Sequence, residues 1–223
     1  MLYLKQSILC DYKNKTIFDK IEKISNETDD DKTSAMKIFN FVRDKIPFNA
    51  TLNIFQKASK SIKQKVIDYC NKVNIHMALL KAKNIPCRLH YVKTKKERLK
   101  GIIPDIMYGK IPDPIGHFYI ECFVNNKWIA CEAIYDKKIY NGMLHHGIIN
   151  KEQIPSIDWD GENDLILFSK QIVEDVDVYE NLDDIIETEI KKYSYPPKWI
   201  CKLVDWTAKL GSKRRTNRIR KIE

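Results

Sequence analysis

The chain has 223 residues and a net charge of +9, enough length for one domain with a sizeable hydrophobic core. Its composition is that of a folded soluble protein, and no apolar run approaches the ~20 residues that a membrane-spanning helix needs. Six cysteines (Cys10, Cys70, Cys87, Cys122, Cys131, Cys201) contain no CxxC pair, so neither a zinc cage nor a dithiol redox motif is suggested.

The opening MLYLKQSILCDYKNK lacks the apolar core and small-residue cleavage site of a secretory signal, so a cytosolic protein with reduced thiols is expected. Residues 17–25 and 33–46 read as helices. In the second, Ala35, Ile38, Phe39, Val42 and Ile46 recur on one face, Thr33 or Ser34 stands ready as a cap, and Pro47 ends it. Residues 53–67 form a lysine-rich amphipathic candidate. From Cys70 to Lys83 apolar residues fall on two faces, which predicts an interior helix, with Asn84 as its left-handed cap and Pro86 as its stop. Cys87 to Val92 then alternates like a strand, and 93–114 reads as a charged, proline-punctuated loop.

HFYIECFV (117–124) and KWIACEAI (127–134) predict two strands joined by an Asn125-Asn126 hairpin turn, because asparagine tolerates left-handed backbone. Residues 135–165 read as irregular, 180–190 as an acidic amphipathic helix and 200–210 as a short helix. Helices followed by an antiparallel sheet make the fold class α+β. The charge is polarised. Residues 209–223 hold seven basic residues against one acidic, and 158–189 hold twelve acidic residues and one lysine. The organisation expected is a single domain over 1–208 and a basic tail over 209–223, read first as solvated, with a weak polyanion contact (Trp199 and Trp206 nearby) or docking on the acidic 158–189 region as the alternatives.

A two-residue turn fixes the hairpin register. Phe118, Ile120, Cys122 and Val124 then share a core face with Ile129, Cys131 and Ala133, so Cys122 and Cys131 are expected as packing residues. The other face carries His117, Tyr119, Glu121 and Phe123 with Trp128, Ala130 and Glu132, and makes His117 and Glu132 diagonal neighbours. A carboxylate beside an imidazole fixes its tautomer and favours its cation. Asp136 has the same parity and is the second acidic candidate. The missing nucleophile is suggested by Cys70, since a thiol at a helix start feels the positive dipole end and unpaired N–H groups. His145-His146 lies in a loop without carboxylate or cysteine at ligand spacing, so no metal site is expected there.

These residues resemble the transglutaminase-like superfamily, within the wider papain-like cysteine enzymes. The family pattern is Gly-x-Cys at a helix start, an apolar helix ending near Gly-Ile-Pro-x-Arg, His-x-x-(Val/Ile)-Glu on a strand, and a Lys-Trp strand with an acid four positions after the tryptophan. Here stand AsnIleProCysArg at 84–88, HisPheTyrIleGlu at 117–121 and LysTrpIle at 127–129, with Glu132 four after Trp128. KIFNFVRDKIPFNA resembles the lead-in helix, and YLKQSILCDY the opening of the microbial branch. The resemblance covers roughly residues 1–140 and implies a papain-like core, with a helix carrying the cysteine packed on an antiparallel sheet.

Two positions depart from the pattern. Asp68 replaces the glycine, and an ungapped alignment from Asn-Ile-Pro places Tyr69 on the nucleophile's position; one deleted residue in the first helical turn restores Cys70. The reading adopted is a Cys70–His117–Glu132 triad without metal or cofactor, acting through a thioester on peptide or carboxamide substrates. Cys70 would attack, His117 would protonate the leaving amine, and Glu132 would orient His117. Water as second nucleophile makes a hydrolase, and an amine makes a transferase. The alternative is a degenerate site on a peptide- or protein-binding module, or more distantly a nucleic-acid-associated protein.

Overall fold

The computed structural model describes residues 3–49, 55–64, 67–190 and 214–222. Two helices, α1 (Lys15–Ile21) and α2 (Asp31–Lys45), precede a single turn, α3 (Ala58–Ser61), and the central helix α4 (Tyr69–Ala82). Then come β1 (Cys87–Thr94), the short α5 (Asp105–Tyr108), β2 (Ile115–Val124) and β3 (Lys127–Ala130). α6 (Lys137–His145), β4 (Ile172–Tyr179) and α7 (Leu182–Ile185) follow, and residues 214–219 are helical. The strands form one antiparallel sheet in the order β3-β2-β1-β4. This is an α+β fold of papain-like, transglutaminase-like type.

The central helix explains the layering. Asp68 caps its start by accepting the Asn71 N–H at 3.1 Å. Asn84, with φ of 60°, ends it in the left-handed conformation while the Ile85 N–H reaches back to the Leu80 carbonyl at 3.0 Å. Between these caps Ile75, Met77, Ala78, Leu79 and Leu80 are fully buried, in one core with Phe39 of α2, Leu89 of β1 and Ile120 of β2. Polar residues share this burial. The Lys81 ammonium donates to the carbonyls of Lys5 and Glu180 and to Asn181 Oδ1, tying both flanking segments to the helix. Lys72 donates to the Arg43 carbonyl at 3.0 Å, and burial drops its ammonium to a pKa of about 7.

Several boundaries differ from the sequence reading, for physical reasons. Asp30, rather than Thr33 or Ser34, caps α2: its carboxylate takes the Thr33 N–H at 2.7 Å. Of the helix expected over 53–67, only the α3 turn forms among the described residues; past it the chain is drawn into an isolated bridge between Phe48 and Ile67. Residues 135–165 hold α6, whose start is capped by Asp136. β4 escaped notice because Glu174, Asp175 and Asp177 crowd its valines. It is an edge strand, where charge on the rim is ordinary protection against further pairing. The helix expected at 200–210, with Cys201, Trp199 and Trp206, lies outside the described residues.

The described part of the basic tail is docked rather than solvated, and its acidic partner is Asp136 rather than the 158–189 region. Residues 214–222 fold onto the domain: Thr216 and Ile219 are buried, and Arg220 pairs with Asp136 at 2.7 Å. Among the described residues no helix is long and apolar enough to cross a membrane.

Candidate functional site

Two asparagines set the site's geometry. Asn125 and Asn126 have φ of 51° and 60°, the double left-handed turn that matches strand twist. Pairing follows as Val124 with Lys127, Cys122 with Ile129 and Glu121 with Ala130. Phe118, Ile120, Cys122, Val124, Ile129, Cys131 and Ala133 lie in the main core, and the Sγ atoms of Cys122 and Cys131 are 3.8 Å apart there. His117 and Glu132 lie on the opposite face, 0% and 3% exposed.

His117 Nε2 is 2.7 Å from Glu132 Oε1. The second carboxylate oxygen accepts the Leu167 N–H at 2.6 Å, from a segment that runs beside Cys131 through Leu165. Burial, and then the nearby Arg98 guanidinium, lower the His117 pKa, with Glu132 opposing them. The ring is therefore neutral near pH 7, with its proton on Nε2 toward the carboxylate. Nδ1 is left as an acceptor, and it is buried with no hydrogen-bond partner among the described residues. This is the ring atom a nucleophile would use.

Tyr69, not Cys70, stands beside it. The Tyr69 ring stacks on the imidazole with centroids 5.2 Å apart and planes 20° from parallel. Its hydroxyl accepts the Phe118 N–H at 2.8 Å and donates to the Phe118 carbonyl. The register gives the reason. Alternate pairs from the turn exchange hydrogen bonds, so Phe118 would exchange both with residue 133. β3 stops at Ala130, and the phenol fills the vacated place.

Cys70 faces the core and is 2% exposed. Burial, with the Asp68 carboxylate adding to it, pushes its thiol well above the ordinary range. The expectation that the helix start would favour thiolate is corrected here. Asp68 occupies the helix-start N–H groups and brings negative charge, and desolvation outweighs the dipole.

The sequence profile of the transglutaminase-like superfamily matches residues 19–133, more than half of the chain. The chain belongs to this superfamily. Its members are generally cysteine peptidases or acyltransferases, a thiol-dependent enzyme family. No curated protein matches the chain. Among solved structures it is similar to one named "a Putative Cysteine Protease from Cytophaga hutchinsonii", with 16% identity and a TM-score of 0.45, over 59% of this chain and 40% of that one.

Within the superfamily's matched span fall Tyr69, Cys70, His117 and Glu132. The structure brings Tyr69, His117 and Glu132 together and turns Cys70 away. Asp136, the other acidic candidate, does not reach the imidazole; it accepts from the Ile139 and Phe48 N–H groups and from Arg220. Three contributors carried no sequence signal because they come from turns outside the long helices and strands: Leu167, Phe168 and, on a 3-10 turn over Lys96–Leu99, Arg98. Phe168 sets its edge against the imidazole at 5.4 Å, and the Arg98 guanidinium lies 5.4 Å from the Phe168 ring. Tyr69 did carry a signal, the ungapped spacing back from Asn84-Ile85-Pro86. Beside Glu132 is a cavity of about 10 Å³ lined also by Lys72, His76 and Tyr119, at most the space of one water. Trp128 lies away from it, under the Arg88 guanidinium at 4.2 Å. Among the described residues no cluster of His, Cys, Asp or Glu is arranged to hold a metal ion.

Proposed function

We propose that this is a transglutaminase-like domain that keeps the carboxylate–imidazole half of a thiol site without its nucleophile, and that it works by binding a peptide or protein. One observation carries the reading: the Tyr69 ring covers the face of His117 and Cys70 points into the core, so neither residue of the helix start offers the imidazole a thiol. The phenol is no substitute. Burial raises its pKa well above the ordinary value, and its hydroxyl is committed to the Phe118 backbone rather than to the imidazole. The His117–Glu132 pair then serves architecture, linking β2 to the 165–167 segment through Leu167.

The thioester reading is the competitor. In it Cys70 attacks a carboxamide or peptide carbonyl, His117 protonates the leaving amine, and Glu132 orients His117. It requires the first turn of α4 to rotate by ~100°, the angle between successive helical residues, and to expel the Tyr69 ring. Alkylation separates the two. Native protein treated with iodoacetamide near neutral pH should leave Cys70 unmodified over a time in which glutathione is consumed, and unfolded protein should label it fully. Rapid stoichiometric labelling of native Cys70, with an acyl adduct on that residue after exposure to activated esters, would restore the thiol enzyme and sink the binding reading.

A further inference from the structure

The segment 214–222 occupies a groove whose chemistry is one-sided. Arg215 donates to the Ile103 carbonyl at 2.6 Å, and Thr216 donates to Asn49 Oδ1 at 2.8 Å. Arg220 donates to the Phe48 carbonyl at 2.5 Å and to the Asp136 carboxylate at 2.7 Å. Among the described residues the segment's side-chain donors meet two backbone carbonyls, an amide oxygen and a buried carboxylate, and His146 meets the Lys221 carbonyl at 3.1 Å. Ile219 fills an apolar bed with Ile139 and Met143. The floor is Gly142, where an added Cβ would lie 1.8 Å from the Ile219 carbonyl oxygen. A groove lined by acceptors and floored by a glycine fits a backbone that approaches closely and brings donors and positive charge.

The occupant is suited to leave. Among the described residues its helix covers 214–219, and that stretch by itself is too short to persist in water without its contacts. Only Thr216 and Ile219 of the segment are buried, and Ile222 is 52% exposed. Residues 191–213 separate it in sequence from the rest of the described domain. Its hold includes the Arg215 contact and the Thr216, Ile219 and Arg220 side chains, the last three at positions i, i+3 and i+4 and so on one face.

We propose that this groove is a recognition site for a short basic helix, occupied by the chain's own C-terminal segment as a releasable internal ligand. A partner helix presenting a hydroxyl, an aliphatic side chain and an arginine at that spacing takes the same place. Binding by such a partner would displace residues 214–222 rather than add to them.

Two full-length variants test this, with a fluorescent synthetic peptide of residues 213–223 as probe. In Ile219→Ser/Arg220→Ala the groove is intact and its own ligand is weakened. It should bind the peptide at least tenfold more tightly than wild type, and Asp136→Asn added to it, which keeps an oxygen to cap α6, should remove most of that binding. In Gly142→Ala the new methyl blocks the floor without disfavouring α6. Peptide binding should be lost, and amide hydrogens of 214–222 should exchange at least tenfold faster than in wild type while α6 exchanges as before. The proposal is overturned if Ile219→Ser/Arg220→Ala fails to fold, since the segment is then integral structure. It is equally overturned if that variant folds without binding, if Asp136→Asn leaves binding unchanged, or if exchange in Gly142→Ala matches wild type.

Discussion

Replacing Tyr69 with cysteine should rebuild a thiol–imidazole pair that the native chain lacks. The position lies over the His117 ring, whose Nδ1 is an acceptor with no partner among the described residues. The cost is set by what the ring does now. It packs on His117 and on Phe118, at 4.8 Å in the second case, and its hydroxyl satisfies both backbone groups of Phe118. Large-to-small replacement of a packed aromatic costs about 3 kcal/mol, which a domain of ordinary stability survives. The gain appears in the thiol's titration. An ordinary thiol of pKa ~8.5 is about 0.1% ionised at pH 5.5, whereas one paired with imidazole at pKa ~6 is roughly one-quarter ionised. Lower intrinsic nucleophilicity returns about a factor of ten of that advantage, leaving a net acceleration of order tenfold to twentyfold toward a disulfide probe. The assay is the rate of reaction of Tyr69→Cys with a dipyridyl disulfide from pH 4 to 9, with Tyr69→Phe as the background for the native cysteines. A single ionisation near pH 8.5, with no reactivity at pH 5.5, would show that the position does not address the imidazole, and the assignment of Tyr69 to the nucleophile's place would fail.

Glu132→Gln should cost about 1–3 kcal/mol, because a carboxylate accepting two N–H groups becomes an amide able to accept through one atom. It should also move the imidazole proton from Nε2 to Nδ1, read from ring nitrogen chemical shifts; an unchanged tautomer would refute the hydrogen-bond assignment. The third prediction concerns Lys72, whose folded pKa of about 7 lies below its ordinary 10.5. Between those values the unfolded chain holds the extra proton, so this residue's contribution to stability rises with pH across the window, by at most about 1.4 kcal/mol per pH unit. Below pH 7 both states are protonated and the burial penalty is fully present. Lys72→Met should therefore flatten the pH dependence of urea unfolding between pH 7 and 10, and parallel curves for variant and wild type would refute the account.

Periodicity made α2, α4 and the β2–β3 hairpin readable, because each repeats its apolar residues at the spacing its geometry demands. The His117–Glu132 contact was readable for the same reason: turn length and side-chain alternation fix it with no tertiary information. The choice between Tyr69 and Cys70 was not. α4 is buried on nearly all sides, so its hydrophobic pattern has no strong phase to say which of two adjacent residues meets the sheet. The docked segment was unreadable because a charge run looks the same whether solvated or paired. Only the acceptors of Ile103, Phe48, Asn49 and Asp136, distant in sequence, distinguish the two.

The Asn125-Asn126 turn and the buried acid hold one register from two ends. Side chains alternate across a strand, so a one-residue slip of β3 against β2 would carry the Glu132 carboxylate into the core beside Ile120, while a slip of two would keep it on the face of His117. An insertion within the exposed turn can be absorbed by a longer loop without moving a single pair. A slip in the ladder cannot be absorbed, because it would bury an unpaired charge. The surface turn is therefore free to drift in length, whereas the pairing it introduces is fixed by a contact it never touches.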